Sequence, residues 1–142
     1  MEQIRLYERP ETVPIEEVRT RNLDGDCRRC GLFESARNVC MSPDGSVQGG
    51  IGGLLVIGES PGKAEERSNR PFMGKGGTLT RKLLQKFWDG PVLFDYAVKC
   101  YVGGPADEKQ VEACRPYMAA IIEECQPQRI LLLGTAAYQS VL

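Results

Sequence analysis

The chain has 142 residues, of which 42% are hydrophobic and 26% are charged, and its net charge is −1. This composition is typical of one globular domain, and it excludes a polycationic protein and a membrane span. The N-terminus carries charges where a signal peptide has its apolar segment, so we expect a cytoplasmic protein with no membrane contact.

An unbroken apolar run, 54–57, leads into the sequence Gly58-Glu59-Ser60-Pro61-Gly62. Such a run predicts a buried strand of a parallel sheet, and the proline and glycine after it predict a tight loop. Glu59 is therefore expected at the carboxyl end of the strand, where open α/β sheets bind ligands. Phe72, between a proline and a glycine-rich segment, adds a flat ring. Together they predict a pocket for a flat substrate.

Two glycine-rich segments do not meet the phosphate-loop pattern. Between Gly58 and Lys63 the spacing is one residue too short, and Ala64 replaces the required Ser or Thr. The segment 74–77 lacks the preceding glycine, so we exclude Walker-type nucleotide hydrolysis. Simple turns remain the alternative explanation for these glycines.

A basic stretch runs from Lys63 to Lys86, with seven Lys or Arg residues and two acids. It flanks the predicted pocket, where contacts to phosphate would be useful. A solvated helix face explains the same charges equally well.

The chain has six cysteines and no histidine. In a cytosolic protein, paired cysteines indicate metal or redox chemistry before disulfides. Cys27 and Cys30 have the spacing that lets two thiolates face one metal centre, and Cys100 and Cys114 form a looser pair. Without histidine a closed site must be Cys₄, which means zinc or an iron–sulfur cluster. The absence of a second tight pair favours a cluster slightly, and zinc stays open.

Turn and helix signals divide the rest of the chain. Residues 1–26 are predicted to be a polar extension with a helix from Ile15 to about Arg21, and 38–53 a surface loop that holds Cys40. Strands are predicted at 54–58, 92–98 and 129–134, and helices from about 77 to 88, 107 to 125 and 135 onward. This alternation predicts an α/β fold with a parallel sheet. Cys125 is expected in the core. The last helix stops in mid-pattern, so we expect a domain truncated at its C-terminus.

Five separated motifs occur in the order and near the spacing of one known family. They are Gly58-Glu59-Ser60-Pro61-Gly62, Glu65-Glu66, Arg70-Pro71-Phe72-Met73-Gly74, Val98-Lys99-Cys100, and the Cys27-x-x-Cys30 loop with the helix of Cys114. By these motifs the chain resembles the iron–sulfur (family 4) uracil-DNA glycosylases of the uracil-DNA glycosylase superfamily. The resemblance covers residues 27–142 and implies a three-layer α/β/α sandwich with a central parallel sheet.

The resemblance also implies a function and a cofactor. The function is hydrolysis of the bond between uracil and deoxyribose in DNA during base excision repair, with uracil-containing DNA as the partner of a monomer. The implied cofactor is a structural [4Fe–4S] cluster held by Cys27, Cys30, Cys100 and Cys114.

Family members extrude the nucleotide and stack its base on an aromatic side chain. By resemblance, Phe72 is the stacking residue, Glu59 is the catalytic carboxylate that orients or activates water, and the backbone N–H groups of Glu59 and Ser60 bind uracil oxygen. The implied substrate-binding residues are Gly58, Ser60, Glu65, Phe72 and Tyr96.

The chain departs from the family at two points. Tyr96 stands where the family usually has an asparagine that reads the edge of uracil. The family's C-terminal histidine motif has no counterpart in this histidine-free sequence. These departures favour a second hypothesis, a non-catalytic DNA-binding module with a structural cluster. The cysteines alone also suit a ferredoxin-like redox protein, although widely separated ligands on an α/β scaffold favour a structural role.

Overall fold

The computed structural model describes residues 22–45 and 53–142. A short 3₁₀ helix at Gly31–Glu34 precedes the regular elements. The strands are β1 (Asp44–Gly45), β2 (Leu54–Gly58), β3 (Val92–Tyr96) and β4 (Arg129–Leu132), and the helices are α1 (Lys63–Ser68), α2 (Lys75–Phe87), α3 (Glu108–Cys125) and α4 (Thr135–Val141). The helix predicted from Ile15 to Arg21 and most of the predicted extension lie outside the described residues.

One sheet with the strand order β1-β3-β2-β4 forms the centre of the domain. β2 pairs in parallel with β3 and with β4, which confirms the predicted parallel α/β sheet. β1 adds an antiparallel edge strand, in which Asp44 pairs with Phe94. The prediction of a surface loop over 38–53 is therefore wrong for residues 40–44, of which Cys40 and Met41 are almost fully buried. Gly45 has a φ of 121° and leaves no room for a Cβ beside the Val92 carbonyl, so this edge pairing requires glycine.

Apolar side chains cover both faces of the sheet, because successive residues of a strand point to opposite sides. On one face, Leu55 and Ile57 pack with α3 and α4. On the other, Val56 and Phe94 pack with Phe72 and with Leu84 of α2. Helices on both faces of a central sheet confirm the predicted three-layer architecture.

Helix α3 begins as the sequence predicts. The side chain of Asp107 accepts a hydrogen bond from the backbone N–H of Gln110 at 2.8 Å, which satisfies a free donor of the first turn. The apolar face of the helix, including Cys114 and Met118, is buried against the sheet. None of the helices in the described ranges is long and apolar enough to cross a membrane.

Helix α2 differs from the prediction in its start and in the face that it buries. It begins at Lys75, two residues before the predicted start. The leucines recur at helical spacing, yet Leu79 is 58% exposed and Phe87 is 81% exposed, while Leu84 packs against the sheet. Periodicity therefore identified the helix but not its orientation.

Candidate active site and cysteine cluster

Strands β2 and β3 end side by side, with Gly58 paired to Tyr96. The chain then turns, and the N–H groups of Ala97 and Val98 donate to the carbonyls of Gly58 and Glu59 at 2.8 and 2.9 Å. β3 therefore ends two residues earlier than predicted. The Glu59 carboxylate lies exposed at the carboxyl edge of the sheet, and its Oε1 accepts a hydrogen bond from the Ala106 N–H at 3.2 Å.

A cavity of about 470 Å³ opens at this edge of the sheet. Its volume lies in the range of ordinary small-molecule sites. Six predicted site residues line it together: Gly58, Glu59, Ser60, Glu65, Phe72 and Tyr96. The structure thus brings all of the predicted pocket residues to one place, although their individual roles stay predictions.

The buried carboxylate of Glu65 connects the two loops that form the cavity. Its Oε1 accepts a hydrogen bond from the Gly62 N–H at 2.9 Å. Its Oε2 accepts from the N–H of Met73, at 2.8 Å, and from that of Gly74. The side chain thus joins the loop after β2 to the loop of Phe72. These hydrogen bonds give Glu65 a connecting role within the fold. The contact of Glu65 with substrate stays a prediction.

We expect Glu65→Gln to destabilise the domain by about 1–3 kcal/mol, because one amide N–H₂ group would face backbone donors where an oxygen now accepts. Urea denaturation measures the loss. Glu123→Gln, at an exposed position of α3, is the matched control and should change stability by no more than about 0.5 kcal/mol. Equal stability of the two variants would contradict the connecting role of Glu65.

The backbone of Phe72 adopts a left-handed conformation, with a φ of 57°, which is uncommon for a residue other than glycine. Its N–H donates to the Tyr96 hydroxyl at 2.9 Å, and its carbonyl accepts from Nε of Arg81 at 2.9 Å. Gly77 has no room for a Cβ against the Phe72 backbone. Contacts from three sides therefore hold the Phe72 loop in this conformation.

Arg81 has a structural role that the sequence analysis did not identify. Besides Phe72, it donates to the Pro71 carbonyl at 2.6 Å and to Asp44 at 2.8 Å, and its guanidinium lies 4.2 Å from the Phe94 ring centroid. Arg70 also pairs with Asp44, at 3.2 Å. Two of the seven basic residues in this stretch are thus engaged within the fold. The other five are Lys63, Arg67, Lys75, Lys82 and Lys86.

Three aromatic rings lie against one another beside the cavity. The Phe72 ring is stacked with that of Tyr96, at a centroid distance of 5.1 Å and an interplanar angle of 9°. It also contacts the Phe94 ring at 5.1 Å and 46°. Only 6% of the Phe72 surface is exposed. Burial raises the pKa of Tyr96 above its ordinary value, so its hydroxyl stays protonated.

Long-range hydrogen bonds attach the first described segment to the sheet and to α3. The Leu23 N–H donates to the Cys40 carbonyl, and the Met41 N–H to the Lys99 carbonyl, both at 2.8 Å. The Tyr117 hydroxyl donates to Asp24 at 2.7 Å. This arrangement brings the Cys27-x-x-Cys30 loop to Cys100 and Cys114.

The four predicted ligands share one electrostatic environment. Burial, together with the nearby thiols of Cys114, Cys30 and Cys27, raises the pKa of Cys100 to about 11, although a hydrogen bond from the Cys40 backbone opposes the shift. Burial likewise raises the pKa of Cys114, with contributions from Cys30 and Cys27. The sequence placed these residues in two separate pairs, and the fold brings the pairs together.

Cys40 is a fifth thiol of this cysteine cluster. Its N–H donates to Sγ of Cys100 at 3.2 Å, and its side chain hydrogen-bonds Cys27 and lowers the pKa of that thiol to about 5. The expectation of a surface-loop cysteine is wrong, because Cys40 is 1% exposed and has a φ of 53°. Cys125 is half-buried and packs against the core, as predicted.

The described residues contain no group of three or more His, Cys, Asp or Glu side chains placed to hold a single metal ion. One zinc ion binds each sulfur at about 2.3 Å and so requires its four thiolates to lie close together. A cubane cluster binds each thiolate through a different iron, so its sulfurs stand farther apart. The all-cysteine donor set of the cysteine cluster fits an iron–sulfur cluster, and four thiolates are also a donor set that zinc accepts.

A buried ion pair lies between the cavity and the cysteine cluster. Nζ of Lys99 is 2.7 Å from Oδ2 of Asp95, and neither side chain reaches solvent. Lys99 also donates to the Tyr96 carbonyl at 2.9 Å, and the Tyr96 N–H donates to Asp95 at 2.8 Å. Burial raises the pKa of Asp95, and Lys99 opposes that shift. The sequence analysis did not identify this ion pair.

Comparison with known proteins identifies the family. Residues 52–142 match the protein-family model described as the uracil DNA glycosylase superfamily, and they make up more than half of the chain. The chain belongs to the uracil DNA glycosylase superfamily. The resemblance inferred from the motifs is thereby confirmed, and so is the fold class that it implies.

Several curated relatives of this superfamily member carry the name Type-4 uracil-DNA glycosylase. The protein of Pyrobaculum aerophilum is 29% identical over 121 residues, which are 82% of this chain and 60% of the relative. That of Thermotoga maritima is 31% identical over 137 residues, 93% of this chain and 67% of the relative. That of Saccharolobus solfataricus is 30% identical over 113 residues, which are 76% of this chain and 50% of the relative. The chain thus spans about half to two thirds of the length of the relatives that it matches.

Proposed function

We propose that this superfamily member is a DNA repair glycosylase that hydrolyses the N-glycosidic bond of uracil in DNA. The observation that carries the proposal is the position of Glu59. Its carboxylate lies at the carboxyl edge of the sheet, on the rim of the cavity that Phe72 and Tyr96 line. Relatives named Type-4 uracil-DNA glycosylase support the same reaction.

In the proposed reaction the bond between C1′ of deoxyribose and N1 of uracil breaks, and its electron pair leaves with uracil. Water adds to C1′, one of its protons stays on the new sugar hydroxyl, and the other neutralises uracil. The sugar acquires positive charge in the transition state, and uracil acquires negative charge. Glu59 would stabilise the sugar and orient the water, and the N–H groups of Glu59 and Ser60 would donate to uracil oxygen.

We propose that the domain at 27–142 binds DNA around the cavity. Lys63 and Lys75 line the cavity itself, beside the residues proposed to bind the base. Lys82 lies farther along the exposed side of α2. Phosphate contacts from such residues would hold the strand in register while the nucleotide is extruded. A monomer and a cytoplasmic location stay predictions.

We further propose that Cys27, Cys30, Cys100 and Cys114 hold a [4Fe–4S] cluster. The shared electrostatic environment of the four thiols supports this set, as does the fit of an all-cysteine donor set to a cluster. When bound, the cluster would supply a structural cross-link. Cys40 would support this site, because its N–H donates to Sγ of Cys100, and hydrogen bonds to ligand atoms orient the ligands of a metal site.

We expect Glu59→Gln to lower the rate of uracil release by about 100- to 10,000-fold, the range for loss of a positioned acid–base group. Binding of uncleaved DNA should change by less than about threefold, because Glu59 is one exposed side chain among several contacts. Single-turnover release from a single-uracil strand measures the rate, and fluorescence anisotropy measures binding. Equal losses in both would argue for a positioning role instead.

A second candidate function is a non-catalytic DNA-binding module with a structural cluster. The stacking of Tyr96 on Phe72 favours it, because the ring proposed to stack uracil is already covered. Tight binding of uracil-containing DNA with no release of uracil by the wild-type protein would support this alternative.

A further inference from the structure

The Phe72 ring has two aromatic neighbours, of which Tyr96 is stacked on it. Tyr96 lies nearly parallel to Phe72, with ring centroids 5.1 Å apart, and Phe94 contacts it at the same distance with a tilt of 46°. A planar base stacks on a ring at a comparable spacing. We propose that Tyr96 occupies the base-stacking face of Phe72 and is a specificity-determining residue that keeps the base pocket closed until its ring is displaced. This inference rests on the proposed function.

Three hydrogen bonds hold the Tyr96 ring and its backbone. The hydroxyl accepts from the Phe72 N–H at 2.9 Å, which ties the ring to the loop that it covers. The Tyr96 N–H donates to Asp95, and the carbonyl accepts from Lys99. A Cβ on Gly58 would lie 3.0 Å from the Phe72 ring and 3.2 Å from the Tyr96 ring. With their centroids 5.1 Å apart, the two rings leave no gap between them for a base.

A purely structural role of the Tyr96 ring predicts a different effect of its removal on DNA binding. If Tyr96 served only the core, its removal would lower stability and leave DNA binding weaker or unchanged. If Tyr96 closes the pocket, its removal frees one face of Phe72, and binding of an extruded uracil improves even though stability falls. Stacking of one base on an aromatic side chain corresponds to about 10- to 100-fold in affinity. The two roles therefore predict opposite changes in affinity.

The test compares the dissociation constants of the full chain for a single-uracil DNA strand and for the same strand with thymine. We expect Tyr96→Ala to bind the uracil strand about 10- to 100-fold more tightly than the wild type. Tyr96→Phe, which keeps the ring without its hydrogen bond, should gain a few-fold at most. Phe72→Ala combined with Tyr96→Ala should lose the gain, because it removes the stacking surface. Tyr138→Ala, at a tyrosine that is 54% exposed on α4, is the control.

A folded Tyr96→Ala that binds the uracil strand no better than the wild type would overturn the inference. If this variant does not fold, hydrogen exchange of the Phe72 amide in the wild type decides. Exchange should speed up on saturation with the uracil strand, because Tyr96 leaves that N–H, and unchanged exchange would contradict the inference.

Uracil release is measured in the same samples and separates the two proposals. Tighter binding by Tyr96→Ala with no release from any sample would contradict the glycosylase function and support the inference. Release of uracil by the wild type, with no gain in DNA affinity in Tyr96→Ala, would support the glycosylase function and contradict the inference.

Discussion

Cys30→Ala is expected to abolish binding of the proposed [4Fe–4S] cluster and to remove most of the stability of the domain. Cys30 belongs to the tight pair of the N-terminal loop, which the proposed cluster would join to Cys100 and Cys114. Metal binding is coupled to folding in such sites, so losing one of four ligands removes much of that free energy. Iron in anaerobically purified protein should fall from about four atoms per chain to less than one.

The control for this experiment is Cys125→Ala. Cys125 is half-buried at the end of α3 and packs against the core, away from the proposed ligands. This variant should keep the iron content and the brown colour of the wild type. Unchanged iron in Cys30→Ala would rule out the proposed ligand set, and loss of iron in both variants would indicate a general effect of removing a thiol.

Lys99→Met is expected to lower the free energy of unfolding by about 3–5 kcal/mol, because it leaves the buried Asp95 carboxylate without its partner. The total stability of a small domain is about 5–15 kcal/mol, so the loss is a large fraction. Urea denaturation at pH 7 measures the change. Lys109→Met, on the exposed side of α3, is the control and should change stability by about 0.5 kcal/mol or less.

The loss in Lys99→Met should depend on pH in a defined direction. Burial already raises the pKa of Asp95 from its ordinary value of 3.8, and removing Lys99 removes an opposing effect. The folded variant then binds a proton that the unfolded chain has released, so its stability falls as pH rises above about 4. Adding Asp95→Asn should recover part of the loss at pH 7. A pH-independent loss would contradict the role assigned to the charge.

The sequence predicted the elements whose signals are local. The apolar run of β2, the Asp107 cap and the inward face of α3 each depend on neighbouring residues, and each is confirmed. Features that depend on distant partners were not predicted. β1 is a strand because Asp44 meets Phe94 across the sheet, and α2 turns Leu79 outward because of where it docks.

In the candidate site, too, some features were predicted from the sequence and others were not. The family resemblance implied that Glu59, Phe72 and Tyr96 would lie together, and they line one cavity. Glu59 was also expected there because it follows a strand, at the edge where open α/β sheets bind ligands. Contacts between distant segments were not predictable from spacing. Arg81 was counted as a basic surface residue, yet it fixes the Phe72 loop from nine residues away. Cys40 gave no sign of lying against Cys100, sixty residues later.

The proposed glycosylase activity is tested by incubating anaerobically purified protein with a single-uracil DNA strand, with iron and sulfide assayed in the same sample. We expect the wild type with bound cluster to release free uracil, and Glu59→Gln to release it at least about 100-fold more slowly. A protein that holds the cluster and binds the strand but releases no uracil would contradict the proposed activity, and would favour the non-catalytic DNA-binding module.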